Sequence, residues 1–192
     1  MIQMLRSRFT AVLAAAGLVA ASASCAETFI PRLEPGSALF EVEYTNAAWG
    51  RRWNGFYVDA QDRVYSYDLG DARFDLEGSG DEFTAAELAA KYAHDAKLVT
   101  TLAPGEALAR YDGVRAVLTT PLTAPRGMCA DAGTLRFSAL VYDARTDTYH
   151  RVLLHQSGDV AQANLSPVAL NLYHWLSGVT GTSSGACDPF DA

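Results

Sequence analysis

Four histidines, three cysteines and a surplus of acidic side chains are the residues of this 192-residue chain from which chemistry could be built. His155, Ser157 and Asp159 lie within five positions, and a serine beside a histidine oriented by an acid is the set that nucleophilic hydrolysis uses. Their types suit a hydrolase, but no G-x-S-x-G elbow is present, and Ser-Gly-Asp after a strand is ordinary turn composition. His150 and His155 differ by an odd number, so a regular strand points them to opposite faces, and without a bulge they cannot share an ion. His94 falls at a helix end, where the helix dipole favours a cation. His174 adjoins Trp175 on an amphipathic helix and reads as a packed or a surface histidine.

Oxygen ligands come next. Asp75, Glu77, Ser79 and Asp81 alternate through a Gly-containing loop, the pattern of a loose calcium site. The acid that an EF-hand requires at its twelfth position falls on Ala86, so that motif is absent. Glu41 with Glu43 and Asp81 with Glu82 are paired carboxylates, and an acidic surface produces such pairs without any glycosidase. No metal or other cofactor is expected.

The segment with the clearest recognition chemistry is Trp49, Arg51, Arg52, Trp53 and Tyr57. Aromatic faces and guanidinium groups recur in binding sites, which makes this a surface for an envelope protein, a peptide or a glycan. The competing role is that both tryptophans plug the end of a sheet under the arginine stems.

These groups need a frame, and the first 26 residues are not part of it. Arg6 and Arg8 are followed by an uncharged Ala-, Leu- and Val-rich stretch from Phe9 to Ala23 and then by small residues, the layout of a secretory signal. The stretch is shorter than the roughly 20 residues of a spanning helix, and no later segment comes near it. Ser22 to Cys25 is similar to the lipobox that precedes a lipid-modified cysteine, except that Ser22 stands where a large aliphatic is usual. Cys25 is therefore a lipid anchor, the one route to a membrane, a residue removed with the signal, or, if cleavage follows Ala23, an odd thiol left on the mature chain. An exported protein meets an oxidising compartment, where Cys129 and Cys187 are natural disulfide partners. Their bridge would close a loop of about 58 residues and stabilise by roughly 4 kcal/mol on a chain-entropy basis.

Without residues 1–26 the chain keeps 13 basic and 22 acidic side chains, a net charge of −9. Phosphate backbones repel such a surface, and no basic cluster exceeds Arg51-Arg52, so nucleic acid is excluded as a partner. Residues 27–37, with Pro31, Pro35 and Gly36, form a tether, and 38–192 a single domain.

Within that domain Phe40, Val42 and Tyr44 alternate with Glu41 and Glu43, which predicts a strand with one wet face. Trp49–Asn54 reads as a turn, and 55–59 with 63–68 as a hairpin. Thr84 and Glu87 form a capping box, with Phe83 able to staple to Leu88. Pro104 and Glu106 start a short helix to about Tyr111, and Val114–Thr119 continues it or forms a strand. Leu135 to Val141 and Tyr149 to Leu153 make a second hairpin. Ser166 and Pro167 open a last helix that Gly178 is expected to stop. Hairpins joined to helices, without a regular strand-helix-strand repeat, give an α+β domain with a mainly antiparallel sheet.

Overall fold

Alternating aromatic and branched residues make the strands, and the antiparallel pairing of those strands places the rest. The structure is a computed structural model that describes residues 37–48, 50–70 and 80–190. In chain order the elements are β1 (Ala38–Asn46), β2 (Arg52–Asp59), β3 (Arg63–Asp68), β4 (Glu82–Phe83), α1 (Ala85–Tyr92), β5 (Lys97–Thr101), α2 (Glu106–Tyr111), α3 (Val114–Val117), β6 (Arg126–Gly127), β7 (Thr134–Asp143), β8 (Thr148–Gly158), β9 (Val160–Ala163) and α4 (Pro167–Thr180). The strands form one open sheet in the order β5-β3-β2-β1-β7-β8-β9-β6, with β4 paired to β8, and the α+β class follows.

β1 lies in the middle, antiparallel to β2 on one side and β7 on the other. Both its faces are covered. Phe40 points to the helices that follow the hairpins, edge-on to Tyr111 of α2 and Trp175 of α4 at 5.7 and 5.2 Å between centroids. Glu41 and Glu43 point the other way, toward α1, and are only 1% and 2% exposed. The wet face expected from their alternation is therefore wrong. A carboxylate that alternates with apolar residues signals the second face of a strand, and water covers that face only if no helix does.

The helix that covers it starts where its capping box predicts. Thr84 Oγ1 accepts from the Glu87 N–H, and Glu87 returns a carboxylate to the Thr84 N–H at 2.6 Å. Such a cap stabilises by about 1 kcal/mol. Phe83 and Leu88 both belong to the buried cluster under α1, with Tyr67, Tyr92, Leu140 and Tyr149.

Other boundaries differ from expectation. Arg52, Trp53 and Asn54 are the first residues of β2, paired with Asn46, Thr45 and Tyr44, because the strand runs on into the region read as a turn. Val114–Val117 is helical. The last helix passes through Gly178 and ends at Gly181, whose φ of +66° provides the left-handed cap. Gly178 is tolerated there as an ordinary helical residue. Strands β5 and β9 were not legible: β5 is exposed at all five positions, so it shows no apolar alternation.

Candidate functional site

Three groups of side chains matter for function: an ionic cluster under α1, a cleft at the open end of the β1-β2 hairpin, and a histidine-carboxylate pair beneath the C-terminal tail.

The ionic cluster gathers Glu41 and Glu43 from β1, Lys91 from α1 and Arg151 from β8. All four side chains are at most 3% exposed. Lys91 Nζ lies 2.5 Å from Glu41 Oε1 and also contacts Glu43 Oε2. The Arg151 guanidinium donates to Glu41 Oε2 at 2.8 Å and sits 3.3 Å from Glu43 Oε1. The hydroxyls of Tyr67 and Tyr92 donate to Glu41 Oε1 at 2.9 and 3.0 Å, and the Trp53 indole N–H donates to Glu43 Oε2 at 2.7 Å. Gly55 makes room for this: a Cβ there would stand 2.1 Å from the Val42 carbonyl oxygen and 3.0 Å from the Tyr67 hydroxyl.

Burial raises the pKa of an isolated carboxyl, but the charges of Lys91 and Arg151 and their hydrogen bonds outweigh it at Glu41, which is lowered from 4.5 to about 2. Burial, with the Glu41 and Glu43 charges beside it, pushes the Tyr67 phenol well up. Tyr92 is raised by burial and by Glu41. The tyrosines therefore stay neutral donors.

The cleft has a volume of about 410 Å3 and is lined by Thr45, Asn46, Arg51, Arg52, Trp53 and Thr134, among others. Arg51 and Arg52 are exposed, and neither has an ion-pair partner among the described residues. Trp53 connects the two regions: it is one of the residues that line the cleft, and its N–H is on Glu43. Of the predicted recognition residues, Arg51, Arg52 and Trp53 come together here. Tyr57 lies apart, stacked between Tyr65 and Tyr92 at centroid distances of 5.0 and 4.3 Å. Trp49 lies outside the described residues.

The third group contains the disulfide, Cys129 to Cys187, which brings the tail back over β8. Next to it, His155 Nε2 contacts the Asp188 carboxylate, with both side chains at most 1% exposed. His155 also stacks on Tyr173 of α4 at 4.1 Å. Asp159, the acid expected beside His155, is elsewhere: its Oδ1 accepts from the Ala132 and Gly133 N–H groups at 2.7 and 3.2 Å and fixes that turn. Ser157 is 1% exposed and its Oγ has no hydrogen-bond partner among the described residues. The carboxylate that meets His155 is 33 positions away, so no local spacing could have indicated it.

The expectation that His150 and His155 face opposite ways fails because of a β-bulge. Phe137 pairs with His155 and Ser138 with Leu153, which leaves Leu154 as the extra residue and turns His155 to the face that His150 shares. The two remain about four residues apart along the sheet, roughly 13 Å, too far for one ion. His150 instead faces Glu82 at 3.2 Å.

Asp75, Glu77 and Ser79 of the calcium candidate lie outside the described residues, and so does Cys25. Asp81 is exposed, with Oδ1 3.8 Å from Arg151. Among the described residues no group of three or more His, Cys, Asp or Glu side chains could hold a metal ion, and no helix is long and apolar enough to cross a membrane. Compared with protein-family models, with curated proteins and with solved structures, the chain matches none.

Proposed function

We propose that this chain works after export, as a non-enzymatic module of the cell envelope that binds a carboxylate-bearing peptide or glycan in the cleft at Arg51, Arg52 and Trp53. The observation that carries the reading is the pair of guanidinium groups at the lip of the cleft. Among the described residues they have no carboxylate partner, on a chain whose acidic side chains outnumber its basic ones, 22 to 15. A planar guanidinium takes a carboxylate through two parallel hydrogen bonds, and an indole ring offers a flat apolar wall for a sugar or a peptide plane. A volume of about 410 Å3 suits one such unit.

Export is supported by the layout of residues 1–26 and by the Cys129–Cys187 bridge, because disulfides persist in oxidising compartments. Intact mass decides the address: an acyl increment on Cys25 means an anchored protein, and loss of the leader with Cys25 means a free one.

The binding reading is tested by titrating the mature protein with a disaccharide-peptide fragment of peptidoglycan that carries free carboxylates, followed by backbone amide shifts. Shifts centred on Arg52 and Trp53, and affinity reduced about tenfold or more by Arg51→Ala with Arg52→Ala, are the expected result. Equal affinity in that double variant would discard the cleft as the site.

A further inference from the structure

The cluster under α1 holds a primary amine and two carboxyl groups where no substrate arrives. Lys91 is 0% exposed, Glu41 1% and Glu43 2%, and none of them lines the cleft. Reaction of Nζ with an outside molecule is closed off, whereas reaction with its neighbours is not. Nζ rests against both carboxylates, and the rings of Tyr67, Phe83, Tyr92 and Trp53 surround it at 5.3 to 5.8 Å. Aromatic walls keep water out, and an ammonium and a carboxylate held without water bear a desolvation penalty that a neutral amide does not.

We propose that Lys91 and Glu43 condense after folding into an intramolecular isopeptide bond, a covalent tie between α1 and β1, with Glu41 carrying the protons. Glu41 Oε1 accepts a proton from Lys91 Nζ. The freed amine attacks Cδ of Glu43, and an N–C bond forms. The bond from Cδ to Glu43 Oε1 then breaks as Glu41 returns protons to the leaving oxygen. Two of the three ammonium protons and one carboxylate oxygen depart as one water molecule, Nζ keeps the third proton as the amide N–H, and Glu41 ends as the carboxylate it began as. One positive and one negative charge disappear together, so Glu41 and Arg151 are left as a balanced pair. No oxidant, reductant or other co-reactant takes part.

The surrounding donors assign the roles. Glu41 is saturated as an anion, with two tyrosine hydroxyls on Oε1 and Arg151 on Oε2, an arrangement that suits a proton carrier and not an electrophile. Its depressed pKa agrees with the second half of that, since it keeps Glu41 an anion and so no electrophile; the proton-carrying role rests on the contact between Oε1 and Lys91 Nζ. Glu43 is held differently. Trp53 Nε1–H points at Oε2 from 2.7 Å, so that oxygen has a fixed donor as charge builds on it in the tetrahedral intermediate. Among the described residues Oε1 has only the longer contacts to Arg151 and Arg136, at 3.3 and 3.9 Å, and is the oxygen free to leave. The two reacting residues are 48 positions apart, so the bond would close a large loop across the sheet and the helix above it.

Mass spectrometry of the mature chain, reduced and denatured, tests this directly. The expected mass is that of the processed sequence less one water, and a tryptic digest should contain one branched peptide joining the Glu43 segment to the Lys91 segment. Lys91→Arg should restore the full sequence mass. Full mass in the folded wild-type protein overturns the proposal whether or not the variant folds, and a branch that maps to other residues overturns it too. Glu41→Gln keeps both reacting groups and removes the proton carrier; with folding checked by circular dichroism, it should form the bond at least tenfold more slowly. Bond formation at the wild-type rate in Glu41→Gln would overturn the role given to Glu41.

Discussion

The two faces of the central strand β1 solve the same problem with opposite chemistry. On the side of α2 and α4, Phe40 and Val42 are buried with Phe137, Ala139, Leu172 and Leu176, and the buried titratable pair there is His155 with Asp188. On the side of α1, Glu41 and Glu43 are buried with Lys91 and Arg151. Apolar burial is non-directional, so the first face tolerates exchange of one aliphatic for another. The second face depends on distances and on the count of charges. Two carboxylates against two cations leave no net charge, and so do Glu41 and Arg151 once Lys91 and Glu43 have condensed; in either state, removing Arg151 leaves a buried carboxylate without its partner. A strand covered on both sides thus satisfies its polar positions with partners instead of water, and its stability becomes sensitive to single charges.

The largest break in that contrast is expected from Arg151→Met. It keeps the length of the side chain and removes the cation that sits 2.8 Å from Glu41, so urea denaturation should show a loss of about 3–5 kcal/mol. Arg51→Ala, an exposed guanidinium without an ion pair among the described residues, should stay within about 0.5 kcal/mol on the same assay. Equal effects at the two positions would mean that the cluster is not energetically distinct from the surface.

Acid sharpens the comparison next. The folded-state pKa of Glu41 lies below its ordinary value, so its contribution is fully present above 4.5 and is lost as the pH falls through about 2. The shift corresponds to roughly 3 kcal/mol, an upper figure because the two carboxylates share the same cations and because condensation of Lys91 with Glu43 would leave Arg151 alone to depress Glu41. Urea midpoints measured between about pH 5 and pH 2 should fall in wild type and fall less in Arg151→Met, which has already lost one of the charges that depress Glu41. A parallel decline in both proteins would put the acid sensitivity outside the cluster.

Local chemistry in the sequence accounts for what was readable. Thr84 with Glu87, Ser166 with Pro167 and the hairpin turns act over three or four residues, and each is where the sequence places it. The Cys129–Cys187 pairing was also readable, since the expected loss of a leader together with Cys25, or lipidation of that residue, would leave one pair to form. Arg51, Arg52 and Trp53 were singled out from residue type alone, and their convergence on one cleft follows from β2 starting at Arg52. What was not readable depends on partners far along the chain. Glu41 meets Lys91 and Arg151 at separations of 50 and 110 residues, and His155 meets Asp188 across 33. The bulge at Leu154 has the same character: it shifts a register without a glycine or proline to announce it, and so it turned His155 to a face that strict alternation denies. Gly178 misled for a simpler reason. A helix already anchored by Ala169, Leu172, Tyr173 and Leu176 bears the roughly 1 kcal/mol cost of an internal glycine and ends at the next one.

The smallest expected effect concerns the apolar face, and its sign is informative. Ser157 is 1% exposed, with no hydrogen-bond partner for Oγ among the described residues, and it neighbours a histidine whose Nδ1 also has none. A buried hydroxyl without a partner has given up its water for nothing, so Ser157→Ala removes a cost and not a contact. The variant should be as stable as wild type or more stable by up to about 1 kcal/mol, read as a raised urea midpoint at unchanged slope. A loss of more than about 1 kcal/mol would show that Oγ is paired in solution, with His155 Nδ1 the nearest group by position in the strand. In that case the face under α4 would hold a polar chain of its own, from Asp188 through His155 to Ser157, and the difference between the two sides of β1 would be one of extent and not of kind.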